Sequence, residues 1–181
     1  MSPHRTPDQQ RYLVIRTDDI EPFTHPGDPA YHSQHVLGEE TTGRHDLLLN
    51  QGTVDPHQGL GGGNHPDNDE IYYIVSGTTL VDLGGDPDDG DGHETFRLVP
   101  GMVVFIPAGV FHRLRNDNDE PLVILTIWPK PSVAGANGIH DERLETWGTG
   151  FRLRTGRKLI SGAGSARVVA PEEHWDPIVT D

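Results

Sequence analysis

The sequence contains no cysteine. That excludes disulfides, thiolate metal sites and cysteine nucleophiles, and it fits a reducing compartment. Basic residues are scarce: 14 Lys and Arg stand against 28 Asp and Glu, a formal net charge of −14. A polyanion of this kind repels nucleic acid and anionic lipid, so neither is expected as a partner. No apolar run approaches the length that spans a bilayer. The stretch from Met1 to Gln10 is polar and has no apolar segment of the secretory type, so a cytoplasmic location is expected. Apolar residues reach only 33% of the chain, so part of it must be loop.

What is present points to strands. Gly (22) and Pro (15) are abundant, and both disfavour helix interiors, which argues against a helical bundle. Short β-branched and aromatic runs lie at Tyr12–Ile15, His35–Leu37, Asp46–Asn50, Ile71–Val75 and Thr79–Leu83. Four more follow at Phe96–Val99, Met102–Ile106, His112–Arg115 and Leu122–Ile127. Turn residues separate them, among them Pro100-Gly101, Pro107–Gly109 and Asn116–Pro121. Many short strands at this spacing predict an all-β sandwich or barrel. Thr79–Leu83 is expected to form a hairpin with Ile71–Val75. Asp141–Trp147 reads as a short helix, and Phe151–Arg154 and Arg167–Val169 as late strands. Residues 1–10 read as a disordered lead, and 11–181 as one domain with its motif core at 45–130. The segments Tyr12–Val54 and Asn137–Val169 are expected to wrap this core or to exchange with a second subunit. A homodimer is expected, because pairing bare sheet edges across a two-fold axis protects them.

Two segments resemble ligand loops and fail on register. The glycines of Asp55–His65 are not followed by Gly-Lys-Ser/Thr or by a helix, so they make no phosphate loop. The acidic stretch Gly84–Glu94 places its central glycine one position early for a calcium loop, and Arg97 falls at the twelfth position where such loops carry Glu. A solvated hairpin tip is the expectation there.

The chemistry concentrates in two stretches, Gly63 to Gly77 and Pro100 to Asn116. Each sets a metal-ligand type beside the start of a strand. His65 precedes the turn Pro66–Asp69, Glu70 opens the next strand, and His112 opens another after Pro107–Gly109. Two imidazoles and one carboxylate form a common first shell for Fe, Mn, Ni or Zn. Strand alternation then places Tyr72 and Ile74 on the inner face with Glu70, and Leu114 and Asn116 with His112. Tyr72 is therefore a candidate pocket hydroxyl for hydrogen bonding or acid–base work, or else a core aromatic. Phe105, Ile106, Leu122, Ile124 and Trp128 are expected as apolar walls, which suits a small organic substrate.

These two stretches resemble the paired signature motifs of the cupin superfamily. The second motif is complete in Gly101, Pro107, Gly109, His112 and Asn116. The first is complete in His65, Glu70 and Gly77, but the first histidine of its His-x-His pair falls on Gly63. The resemblance implies a jelly-roll barrel with extra terminal strands and one divalent transition metal ion. It also implies a site of three His and one Glu, of which the motifs supply His65, Glu70 and His112. Three outcomes stay open: a three-ligand site with more open positions, a site completed by His57 or His45, and a cupin that has lost its metal. Cupins include dioxygenases, isomerases, decarboxylases, lyases, cyclases and sugar-binding proteins. The leading expectation is a mononuclear Fe(II)-type oxygenase acting on a small oxygenated molecule, with Glu70 and Tyr72 as candidate catalytic groups. The alternatives are a metal-assisted isomerase, lyase or cyclase that needs no O₂, and a non-catalytic binder of small ligands.

Overall fold

Every second residue is buried along Leu47–Val54 and along Leu122–Pro129. That period-two pattern requires each segment to be a strand with one face on a core. These two, β4 and β11, pair antiparallel over their full length. The computed structural model describes residues 12–42, 46–90, 92–129, 138–154, 158–162 and 165–169. The lead 1–10 and His45 lie outside the described residues.

Two antiparallel sheets enclose the core. The six-stranded sheet contains β2 (Phe23–Thr24), β3 (Tyr31–Leu37), β4, β11, β6 (Glu70–Ser76) and β9 (Val103–Ile106), in that order. The four-stranded sheet contains β5 (Gly59–Gly63), β10 (Phe111–Arg115), β7 (Thr79–Gly84) and β8 (Glu94–Leu98). Val54, Ile74, Leu122 and Ile124 from the first sheet meet Val81 and Leu114 from the second in one buried cluster. Each such side chain, fully buried, stabilises the fold by about 1.5–3 kcal/mol. A separate small sheet joins β1 (Tyr12–Val14), β13 (Ser165–Val169) and β12 (Lys158–Gly162). The all-β architecture expected from the strand spacing, and the jelly-roll that the family resemblance implies, are the ones observed.

Several local expectations are corrected. β7 is not the hairpin partner of β6: β6 pairs with β9 and β11, and β7 with β8 and β10. The chain crosses between sheets at Gly77, whose φ is +78° and where a Cβ would lie 2.8 Å from the Pro121 carbonyl. Only glycine fits that crossing. Phe105 is not a pocket wall; it is 57% exposed while Ile106 is buried. Adjacent strand residues face opposite ways, so the two cannot share a wall. Leu153 of the expected late strand makes a single bridge, to Ile20. The glycine run is itself a strand, β5, because β10 offers it a pairing edge.

Two polar devices fix the layers that carry the site. Asn116 donates from Nδ2 to the carbonyls of Val54, Asp55 and Glu120 (3.2, 3.1 and 2.9 Å), tying the end of β10 to the end of β4. The buried Asp82 carboxylate accepts from Thr95 Oγ1 (2.6 Å), Arg113 Nε (3.3 Å) and Arg115 Nη2 (3.0 Å), tying β7 to β8 and β10. Helix α1 (Glu39–Thr42) follows β3, and helix α2 (Gly138–Trp147) packs on the six-stranded sheet through Ile139 and Arg143. Arg143 is fully buried and donates to Ser33 Oγ, to Asn50 Oδ1 (3.5 Å) and to His35 Nδ1 (3.5 Å). All three partners are neutral, and burial pushes its guanidinium down to about 10.

Candidate metal centre

Glu70 opens β6 opposite Ile106 of β9 and is 2% exposed. His112 lies on β10, opposite Gly63 of β5 and Leu83 of β7. His65 sits in the loop after β5. Its own carbonyl accepts from Gly109 N at 2.8 Å, and Asp69 Oδ1 accepts from Ala108 N at 3.0 Å. These two bonds pin the 65–70 loop to the turn that precedes His112. Residues from two sheets and one loop are thereby brought to one point.

Glu70 Oε2 lies 3.2 Å from His65 Nε2 and 3.0 Å from His112 Nε2. The distances are those of hydrogen bonds, but Oε2 has no partner in hydrogen-bond geometry. The three lone pairs converge on the space between them. His112 Nδ1 lies 3.1 Å from the Val110 carbonyl. A carbonyl only accepts, so the proton belongs on Nδ1 and Nε2 keeps its lone pair free.

The donor set fits a divalent ion. Two donors each about 2.1 Å from an ion and about 90–109° apart are about 3.0–3.4 Å from each other. Both Glu70–His separations fall in that range, and the three ligand atoms all lie within 4.8 Å of one another. A buried carboxylate beside two imidazoles also calls for a positive charge. Burial alone would raise the Glu70 carboxyl, but His112 and His65 beside it hold it below its ordinary value. Burial opposes charge on His112 as well, yet the Glu70 carboxylate raises it. The negative charge of Glu70 therefore favours either a proton on His112 or a metal ion among the three donors.

Gly63, at the place of the motif's first histidine, supplies no donor. A Cβ on Gly63 would meet nothing within 4 Å, and among the described residues no further His, Cys, Asp or Glu joins the group. His57 does not complete the site. It stands in the turn before β5 with φ 58° and pairs through Nε2 with Asp119 at 2.9 Å.

The triad opens into a cavity of about 480 Å³ between the sheets. Leu60, Leu114 and Ile139 give it apolar surface, and Tyr72, Thr126 and Trp128 line it from β6 and β11. The Tyr72 ring lies edge-on to His112, centroids 5.9 Å apart. Burial, with the Glu70 carboxylate beside it, pushes the Tyr72 phenol well above its ordinary value. Tyr31 enters from β3 and burial pushes its phenol up to about 12. Its ring lies over Gly52, where a Cβ would come within 2.6 Å of the hydroxyl. Sequence alternation pointed to Tyr72 but passed over Thr126, which shares the parity of Ile124 and Trp128. Tyr31 carried no sequence signal, since its place depends on β3 pairing with β4.

Residues 51–128 match the family model of the cupin domain. Over 122 residues the chain is 28% identical to an uncharacterized protein of Streptomyces coelicolor, covering 66% of this chain and 98% of that one. It is 28% identical over 130 residues to polyketide synthase CurC of Streptomyces cyaneus, covering 70% and 77% of the two chains. Among solved structures it superposes on oxalate decarboxylase of Bacillus subtilis, studied for its Mn(II) centres, with a TM-score of 0.55 at 24% identity. That match covers 66% of this chain and 30% of the longer one, and it speaks to the fold alone.

Proposed function

We propose that the chain, whose residues 51–128 match the cupin domain model, is a mononuclear metal enzyme acting on a small oxygenated organic molecule. One observation carries this reading: ligand atoms of His65, Glu70 and His112 lie within 4.8 Å of one another, and among the described residues no fourth His, Cys, Asp or Glu joins them. Two His and one carboxylate with open positions match the facial arrangement of non-haem Fe(II) oxygenases, so Fe(II) is the favoured ion. Bound there, such an ion supplies Lewis acidity and, as Fe(II), the reduction of O₂.

The protein's own part is positioning and exclusion of water. His65, Glu70 and His112 hold the ion, with Val110 fixing the His112 tautomer. Leu60, Leu114 and Ile139 give the substrate apolar contacts, and His25, Asp28 and Arg113 line the same cavity with polar groups. Tyr72 stays protonated at neutral pH, so it acts as a hydrogen-bond donor to a substrate oxygen that gains negative charge, and not as a base.

A second reading drops O₂ and keeps the metal, as an isomerase, lyase or cyclase. The Tyr72 hydroxyl beside Glu70 favours it, since a donor next to a carboxylate suits proton movement on a carbonyl substrate. The likeness to a protein named for polyketide synthesis adds weight to this reading. Elemental analysis of the purified protein, followed by oxygen-electrode assays on protein reloaded with Fe(II), Mn(II) or Zn(II), separates the two. Oxygen uptake with Fe(II) alone supports the oxygenase. Turnover of a dicarbonyl substrate without oxygen uptake supports the second reading. Absence of tight metal removes both and leaves a ligand-binding cupin.

A further inference from the structure

The turn 25–30, which joins β2 to β3, forms a wall of the triad cavity that belongs to neither sheet. His25, Gly27 and Asp28 line the cavity together with Gly61 and Gly62 of β5 and Ile139 of α2. None of residues 24–30 is buried, so no side chain of the turn is rooted in the core. Backbone bonds close the turn on itself: Asp28 N donates to the His25 carbonyl and Tyr31 N to the Asp28 carbonyl, both at 3.0 Å. At its base, Phe23 packs edge-on to Trp147 with centroids 5.1 Å apart, and the Ala30 carbonyl accepts from Asp55 N at 3.0 Å. Two side-chain bonds tie the tip to the body. Asp28 Oδ2 accepts from Gly61 N of β5 at 3.3 Å. His25 Nε2 lies 2.9 Å from Glu142 Oε1 of α2. Gly27 N donates to His25 Nδ1 at 3.1 Å, so the ring proton is on Nε2 and is donated to Glu142. The other carboxylate oxygen of Glu142, Oε2, is buried without a partner, so this one bond joins the carboxylate to the turn.

We propose that this turn is a strap over the triad cavity, latched to α2 by His25–Glu142 and to β5 by Asp28–Gly61, and that ligands enter and leave when the latch opens. A segment without buried side chains, held at its tip by two polar bonds, opens at far lower free energy than the sheets behind it. The base at Phe23 and Ala30 stays in place, and the closed turn between them swings as one piece. With the latch made, Glu70 is 2% and His112 8% exposed, so the donor end of the cavity is shielded from bulk water. The strap acts on the cavity whatever ion the triad holds. Its test needs neither metal nor substrate, so its failure is distinct from failure of the metal reading.

The chain has no cysteine, so one introduced thiol is a unique probe. Thr126→Cys in the full chain places it on the cavity wall, at a residue 2% exposed and close to cysteine in size. Its reaction with the neutral reagent 4,4′-dithiodipyridine is followed by absorbance. With the latch intact the rate is expected at least about 100-fold below that of a free thiol. Adding His25→Ala, Glu142→Ala or both is expected to raise it about fivefold, the double variant no more than either single one, because the same bond is lost. Asp28→Ala, which frees the other end, is expected to raise it as well. Arg97→Ala breaks an exposed ion pair of 2.8 Å whose residues do not line the cavity, and is expected to leave the rate unchanged. Below the unfolding transition the rate is expected to be nearly independent of urea, since opening a strap exposes little surface. A rate near that of a free thiol with the latch intact overturns the proposal. Latch variants that label no faster, an equal rise in Arg97→Ala, or a rate that climbs with urea as steeply as global unfolding also overturn it. If a latch variant loses its β-like circular dichroism, Asp28→Ala decides, and an unchanged rate there rejects the strap.

Discussion

Glu70, buried between two imidazoles, sets the residue-scale expectations. His112→Ala removes one donor of three and leaves the apolar core untouched. Metal content by elemental analysis is expected to fall at least about tenfold while circular dichroism stays β-like. Full occupancy in that variant would mean that other residues bind the ion. Gly63 gives the complementary test. Nothing lies within 4 Å of a Cβ there, and its register partner is His112, so Gly63→His adds an imidazole on the same face. It is expected to tighten metal binding and to slow turnover, because the added ligand fills a position left for substrate. Unchanged metal affinity in a folded Gly63→His would show that position 63 does not face the ion.

At the scale of elements, the junction between β3 and α2 carries a pH dependence separate from that of Glu70 and His112. His35 on β3 is buried, accepts from Arg143 at Nδ1 and stacks near His140, both of α2. Burial, then the Arg143 charge and His140, push it down to about 3 from an ordinary value near 6.5. The folded state therefore refuses a proton that the unfolded state accepts. Its contribution is full above pH about 6.5 and is lost as pH falls toward about 3, by about 2 kcal/mol between pH 6.5 and 5. Urea midpoints of metal-free protein at pH 5 and 7 measure it. His35→Gln, which cannot titrate, is expected to flatten the difference. An equal pH difference in the variant would locate the effect elsewhere. The same junction holds the pocket wall, since Ile139 lies one turn from Arg143 on α2. Acid loosening of α2 is therefore expected to open the cavity as well as to destabilise the fold.

On the scale of the whole molecule, a net charge of −14 keeps copies apart except where charge is missing. The outer face at β6 and β9 exposes Tyr73, Val75, Val103 and Phe105, the last two 60% and 57% exposed. β9 is an edge strand, pairing only with β6 among the described residues. Uncharged apolar edges of this kind associate. We propose that a second copy covers this face in a two-fold dimer. Sedimentation is expected to show a dimer for wild type and a monomer for Val103→Lys with an unchanged circular dichroism spectrum. A monomeric wild type at high concentration rejects the dimer.

The sequence by itself determined what depends on near neighbours along the chain. Alternation placed Tyr72 and Ile74 with Glu70, and Leu114 and Asn116 with His112, because a strand's pleat fixes which residues share a face. The spacing of the two motifs brought His65, Glu70 and His112 to attention, because short turns set Glu70 and His112 at strand starts and leave His65 just before the turn that leads to Glu70. Tertiary structure decided what depends on which strands become partners. A run such as Thr79–Leu83 buries one face equally well beside β6 or beside β10. The core, formed by residues far apart in sequence, chose β10. The same choice made a strand of Gly59–Gly63, turned Phe105 outward and sent His57 to Asp119 instead of the triad. Arg143 and Tyr31 lay beyond local inference for the same reason: their burial comes from β3, β4 and α2 closing over them, and no neighbour in sequence records it.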